Sequence, residues 1–202
     1  MAVRTDEDHN AKMAKLKAAH DRIVEGKTLE KGLLIVHTGK GKGKTSAALG
    51  MVLRAIGHGM RVGVVQFVKG AWETGEKPVF DRFPDLVEFK PMGEGFTWDT
   101  QDRARDIEVA REGWEEVKRM IADPAYKMVL ADELNIVLRY DYLPLDEVLE
   151  VLANKPADKH VIVTGRNAPQ ALIDIADLVT EMTLVKHPFR EQGVKAQAGI
   201  EY

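Results

Sequence analysis

The chain has no cysteine among its 202 residues, which removes disulfide staples, thiolate metal sites and cysteine nucleophiles from consideration. It has no surplus of one charge either: 29 basic residues against 32 acidic ones leave a net charge of −3, so no overall basic field draws it to nucleic acid. No apolar run approaches the length needed to cross a bilayer. The opening residues Met1-Ala2-Val3-Arg4 carry neither an apolar signal core nor a myristoylation glycine. These absences lead to the expectation of a cytoplasmic protein without membrane or nucleic-acid partners. What remains is 45% hydrophobic and 30% charged, in a length that suits one domain with a sizeable core.

The most informative stretch is Gly32-Leu33-Leu34-Ile35-Val36-His37-Thr38-Gly39-Lys40-Gly41-Lys42-Gly43-Lys44-Thr45-Ser46-Ala47-Ala48. A β-branched apolar run, alternating glycine and lysine, then good helix formers read as strand, tight loop and helix. Glycines allow backbone N–H groups to turn toward a phosphate, and the helix opening near Lys44 adds its positive end. Lys44 is placed to offer a mobile charge to phosphate oxygens, and the Thr45 hydroxyl to ligate magnesium. The loop departs from the general G-x-x-x-x-G-K-[ST] pattern: Thr38 stands where that pattern has glycine, and counting from Gly39 leaves the loop one residue short. A triphosphate therefore cannot lie in it in the usual way without a change of register or direction.

Around this loop the pattern predicts alternating helices and strands. Residues up to about Gly26 place Met13, Leu16, Ala19 and Ile23 at helical spacing among lysines, which by spacing alone favours a solvated arm over a lid. Strands are expected at 62–67, 87–90, 128–133, 160–164 and 178–186, and helices over 45–56, 78–83, 100–122, 134–140, 145–155 and 169–176. Strand–helix–strand crossovers imply parallel pairing, and ligands of open parallel sheets bind at the carboxyl edge. Three acids or bases fall at that edge. Asp132-Glu133 ends an apolar strand, where a carboxylate either anchors magnesium or acts as a general base. Arg166 follows another strand, where it either meets phosphate or caps a helix. Phe96 and Trp98, in a glycine-containing loop, either face a flat apolar partner or fold into a satellite cluster. The tail from His187 is expected to be ordered coil.

The stretches Thr38-Gly39-Lys40-Gly41-Lys42-Gly43-Lys44-Thr45, Gln66-Phe67-Val68-Lys69-Gly70, Gly95-Phe96-Thr97-Trp98, Asp132-Glu133-Leu134, Tyr140-Asp141-Tyr142-Leu143-Pro144, Thr164-Gly165-Arg166 and Gly193-Val194-Lys195-Ala196-Gln197, in that order, resemble the P-loop type ATP:cob(I)alamin (corrinoid) adenosyltransferases. The short loop is part of that family's pattern. The resemblance implies an α/β, RecA-like P-loop fold over residues 28–202 with a helical arm at 1–27 acting as a lid, and a homodimer. It implies ATP lying in reversed direction, with Gly39, Lys40, Gly41, Lys42, Gly43, Lys44, Thr45 and Arg166 on the triphosphate. Lys40 stands where many relatives carry asparagine. It further implies magnesium, with manganese as its substitute, on Thr45 and Glu133, and Phe96 and Trp98 displacing the lower axial ligand of the corrin. The partners so implied are ATP, a corrinoid, and reduced flavin or a flavoprotein as electron donor.

In the mechanism the resemblance implies, removing an axial donor makes cob(II)alamin reducible to the nucleophilic cob(I) state; cobalt then attacks C5′ of ATP and triphosphate leaves, its charge balanced by Lys44, Lys42 and magnesium. The competing readings are an ATPase or small-molecule kinase with Glu133 or Asp132 as base, and an ATP-dependent switch module.

Overall fold

The computed structural model describes residues 6–68, 75–92 and 102–201, in two units, Met1–Lys31 and Gly32–Tyr202. The first holds helix α1 (Asp6–Glu25), whose first turn carries Asp6, Glu7 and Asp8 and whose last turn carries Arg22, the arrangement that complements a helix dipole. None of its side chains is buried, and its apolar residues Met13, Leu16 and Ile23 are exposed.

The second unit is a six-stranded, wholly parallel sheet with helices on both faces. Its strands are β1 (Leu34–Thr38), β2 (Val62–Gln66), β3 (Val87–Pro91), β4 (Met128–Asp132), β5 (His160–Thr164) and β6 (Leu178–Glu181), in the spatial order β3-β2-β4-β5-β1-β6. Every residue of β1, β2 and β4 is buried, as expected of strands covered on both faces. Successive side chains point to opposite faces, so Ile35, Val64, Leu130 and Ile162 pack on α2 (Lys44–Gly57) through Leu49 and Val52, while Val36, Val65, Val129 and Val163 pack on the other side. There α4 (Arg103–Ala122), α5 (Leu134–Arg139) and α6 (Leu145–Ala153) contribute Trp114, Val117, Leu134 and Val148. Short helices α3 (Lys77–Phe80), α7 (Gln170–Ile175) and α8 (Pro188–Gln192) complete the unit.

This parallel α/β arrangement agrees with the expected fold class and positions the site directly. Because β5 lies between β1 and β4, the carboxyl ends of all three stand side by side. They bring together the glycine–lysine loop, Glu133 and the Gly165-Arg166 turn, which are distant in sequence. Three expectations need correction. β4 ends at Asp132 rather than Glu133, which turns out of the strand at φ 62°. β6 stops at Glu181 rather than near Lys186, because its partner β1 ends at Thr38, where Met182 N makes the last bond to the strand at 2.9 Å, and beyond it the chain meets the loop instead, Met182 O accepting from Gly41 N at 2.6 Å. The tail is not wholly coil, since Pro188 at the first turn starts α8 and Gly193, at φ 65°, ends it.

Candidate functional site

Helix α2 begins without any side-chain cap, its N-cap being Gly43 at φ 102°. The N–H groups of its first turn are thus left for an anion, in the field of a fourteen-residue helix. Lys44, at the first helical position, is only 6% exposed and its Nζ reaches back to donate to Gly41 O at 2.5 Å. Thr45 beside it is half-buried. The loop is held under a roof made by the chain after β6. A Cβ at Gly39, which sits at φ 95°, would lie 2.5 Å from Met182 O, and one at Gly41 would lie 2.7 Å from both Met182 O and Thr183 O. Glycine is therefore required there by the roof as well as by any ligand. The Gly41 N–H, one of those expected to face phosphate, donates to that roof instead.

Burial lowers the Lys44 pKa from its ordinary value; Glu133 and Asp132 oppose the shift, while Arg166 and Lys42 reinforce it. The structure thus gathers Lys42, Lys44, Asp132, Glu133 and Arg166 within electrostatic reach of one point. A cavity of about 500 Å³ opens beside the loop, lined by Thr38, Gly39, Lys40, Asn167, Glu181 and Leu184 among others. Phe96 and Trp98 lie outside the described residues, as do Lys69 and Gly70.

The two acids at the end of β4 have different surroundings. Asp132 is fully buried, and both its oxygens are engaged: Gln66 Nε2 donates to Oδ2 at 2.9 Å and Thr164 Oγ1 donates to Oδ1 at 2.6 Å. The Thr164 oxygen in turn accepts the Glu133 N–H at 2.9 Å. Glu133 is half-buried in the left-handed region at φ 62°, an uncommon conformation for a residue with a side chain. It is held there by this hydrogen bond from the neighbouring strand. Asn135, also fully buried, donates from Nδ2 to Gly165 O at 3.0 Å and so ties the Glu133 turn to the one carrying the exposed Arg166.

These supports were not evident from sequence. Gln66 and Thr164 are polar residues at the ends of apolar strands and open two of the stretches that carry the resemblance, but neither signal says what they bond. Among the described residues no group of three or more His, Cys, Asp and Glu could hold a metal alone. A cation bound at Thr45 and Glu133 would take its remaining ligands from water and phosphate, the habit of magnesium, so the hard oxygen donors present fit that ion.

Comparison with known proteins places the chain beside one group. The family described as ATP:corrinoid adenosyltransferase BtuR/CobO/CobP matches residues 30–202. A corrinoid adenosyltransferase of Sinorhizobium sp is 55% identical over 203 residues, covering 100% of this chain and 94% of the relative. That of Escherichia coli (strain K12) is 48% identical, covering 98% of this chain and 100% of its own. The corrinoid adenosyltransferase CobA of Salmonella typhimurium is 47% identical with the same coverage. A solved RadB recombinase overlaps 81% of this chain and 80% of its own at TM-score 0.46 and 17% identity.

Proposed function

Because this chain belongs to the ATP:corrinoid adenosyltransferases, an enzyme family that adenosylates corrinoids at the expense of ATP, we propose the following division of work among its residues. The loop Gly39 to Gly43, with Lys42, Lys44, Thr45 and Arg166, holds the triphosphate; Lys40, exposed at the loop, lies against its outer side. ATP runs in reversed direction along the short loop, so that its 5′-carbon faces cobalt. The cobalt electron pair forms the Co–C5′ bond as the C5′–O5′ bond breaks, and the electrons of that bond leave with triphosphate. No side-chain nucleophile and no proton base takes part. Thr45 and Glu133 would hold magnesium, which would screen charge on the phosphate oxygens; Asp132, with both oxygens taken, acts as a support and not as a ligand.

Supporting this reading above all is the placing of Lys44, at the uncapped start of α2, on one edge of the sheet with Glu133 and Arg166, which follow β4 and β5. Preorganised charge of this kind, with Lys44 itself buried, acts where negative charge develops on a leaving group. Phe96 and Trp98 we assign, on the family resemblance, to the underside of the corrin, the arm at 1–27 to a lid over it, the active form to a homodimer, and the electron to reduced flavin or a flavoprotein.

The test is product analysis with ATP, magnesium and reduced cobalamin. Triphosphate and a cobalt–carbon bond are expected; ADP would point to phosphoryl transfer and overturn the reading. Lys44→Ala should abolish turnover, and near-normal turnover in that variant would remove the loop from the mechanism.

A further inference from the structure

The turn after α8 has no part in the assignments above, yet it reaches the phosphate loop. Glu201 forms an ion pair with Lys42, 159 residues away in sequence. The turn is built for this contact: Gln197 O accepts the N–H groups of both Ile200, at 3.2 Å, and Glu201, at 2.9 Å, and Gly199 takes a left-handed φ of 79° between them. Upstream, Val194 N donates to Pro188 O at 3.3 Å and closes the end of α8. The lysine side chain is 47% exposed and the carboxylate 20%, so the pair sits at the mouth of the loop where an incoming anion can reach it.

We propose that Glu201 competes with triphosphate for Lys42 and so governs how readily the leaving group departs. This rests on the triphosphate reading of the loop. In the reaction the O5′ oxygen keeps the electrons of the broken bond, so the released triphosphate carries more negative charge than the same phosphates did within ATP. A loop bearing Lys40, Lys42 and Lys44 therefore holds its product more tightly than its substrate, and turnover needs a means of letting go. A triphosphate held at several points by the loop outcompetes a single carboxylate for one ammonium. As those contacts loosen, a carboxylate tethered next to the ammonium is always at hand to take it back. Glu201 thereby weakens every triphosphate-bound state, and the product most of all.

Binding of magnesium tripolyphosphate to the full chain, measured by calorimetry, tests the proposal. Glu201→Gln should bind it roughly fivefold more tightly, with a proportionately lower inhibition constant in turnover, while Glu201→Asp should resemble the unaltered protein. With Lys42→Gln already present, Glu201→Gln should change nothing. Equal or weaker binding by Glu201→Gln, or the same tightening when Lys42 is absent, would overturn the proposal and leave the loop assignment standing. Failure of the unaltered protein to bind tripolyphosphate would instead remove the loop assignment, and this proposal with it.

Discussion

At Asp132, a charge is spent on geometry. A fully buried carboxylate takes one hydrogen bond from Gln66 and one from Thr164, and the same threonine oxygen receives the Glu133 N–H. The strained backbone of Glu133 is thus fixed by a residue on another strand. Thr164→Val keeps the shape of the side chain and removes its oxygen, leaving one carboxylate oxygen and one N–H without their partner. The expected cost is about 1–3 kcal/mol of stability, read from urea denaturation. Because Glu133 is then free to shift, kcat/KM for ATP should fall on the order of 100-fold. Thr164→Ser, which keeps the oxygen, should recover most of both. A variant that is destabilised yet fully active would show that Glu133 does not depend on this support.

Helix α4 illustrates how an element's end is secured from outside it. Its start is capped locally, Asp102 Oδ1 accepting the Arg105 N–H at 3.1 Å. Its other end is not: Lys159, only 2% exposed, donates its Nζ to Met120 O at 3.1 Å and also to Asp123 O. A lysine just before β5 looks in sequence like a solvated charge. Burial lowers its pKa, with Asp123 and Asp158 opposing. Lys159→Met should destabilise the protein by about 2 kcal/mol, since two carbonyls lose their donor, with ATP affinity unchanged; a denaturation midpoint equal to that of the parent would contradict the capping role. The glycine–lysine loop, by contrast, was legible because strand, loop and helix are contiguous and their chemistry is local. The Thr164 and Lys159 contacts depend on strand order and register, which one sequence does not display, and the extent of β6 depends on the roof that ends it.

For the whole molecule, the chain order of strands brings the ends of β1, β4 and β5 into one row, so the gathering of the loop, Glu133 and Arg166 at one edge was legible once the parallel sheet was inferred. The partnership of Lys42 with Glu201 was not, because nothing in either neighbourhood refers to the other. The unit Gly32–Tyr202 contains the entire sheet and its two-sided core, whereas α1 contributes no buried residue. A chain lacking residues 1–27 should therefore keep its cooperative unfolding and its affinity for ATP, while adenosylation of cob(II)alamin drops at least tenfold if the arm covers the corrin, as proposed; undiminished turnover would dismiss the lid. The roof above the loop carries a last consequence. Met182 and Thr183 sit so close to Gly39 and Gly41 that restoring the missing residue, to give the ordinary phosphate-loop length, would drive backbone into backbone. Shortness of that hairpin is thus enforced by a ceiling belonging to another part of the fold, and the two can change only together.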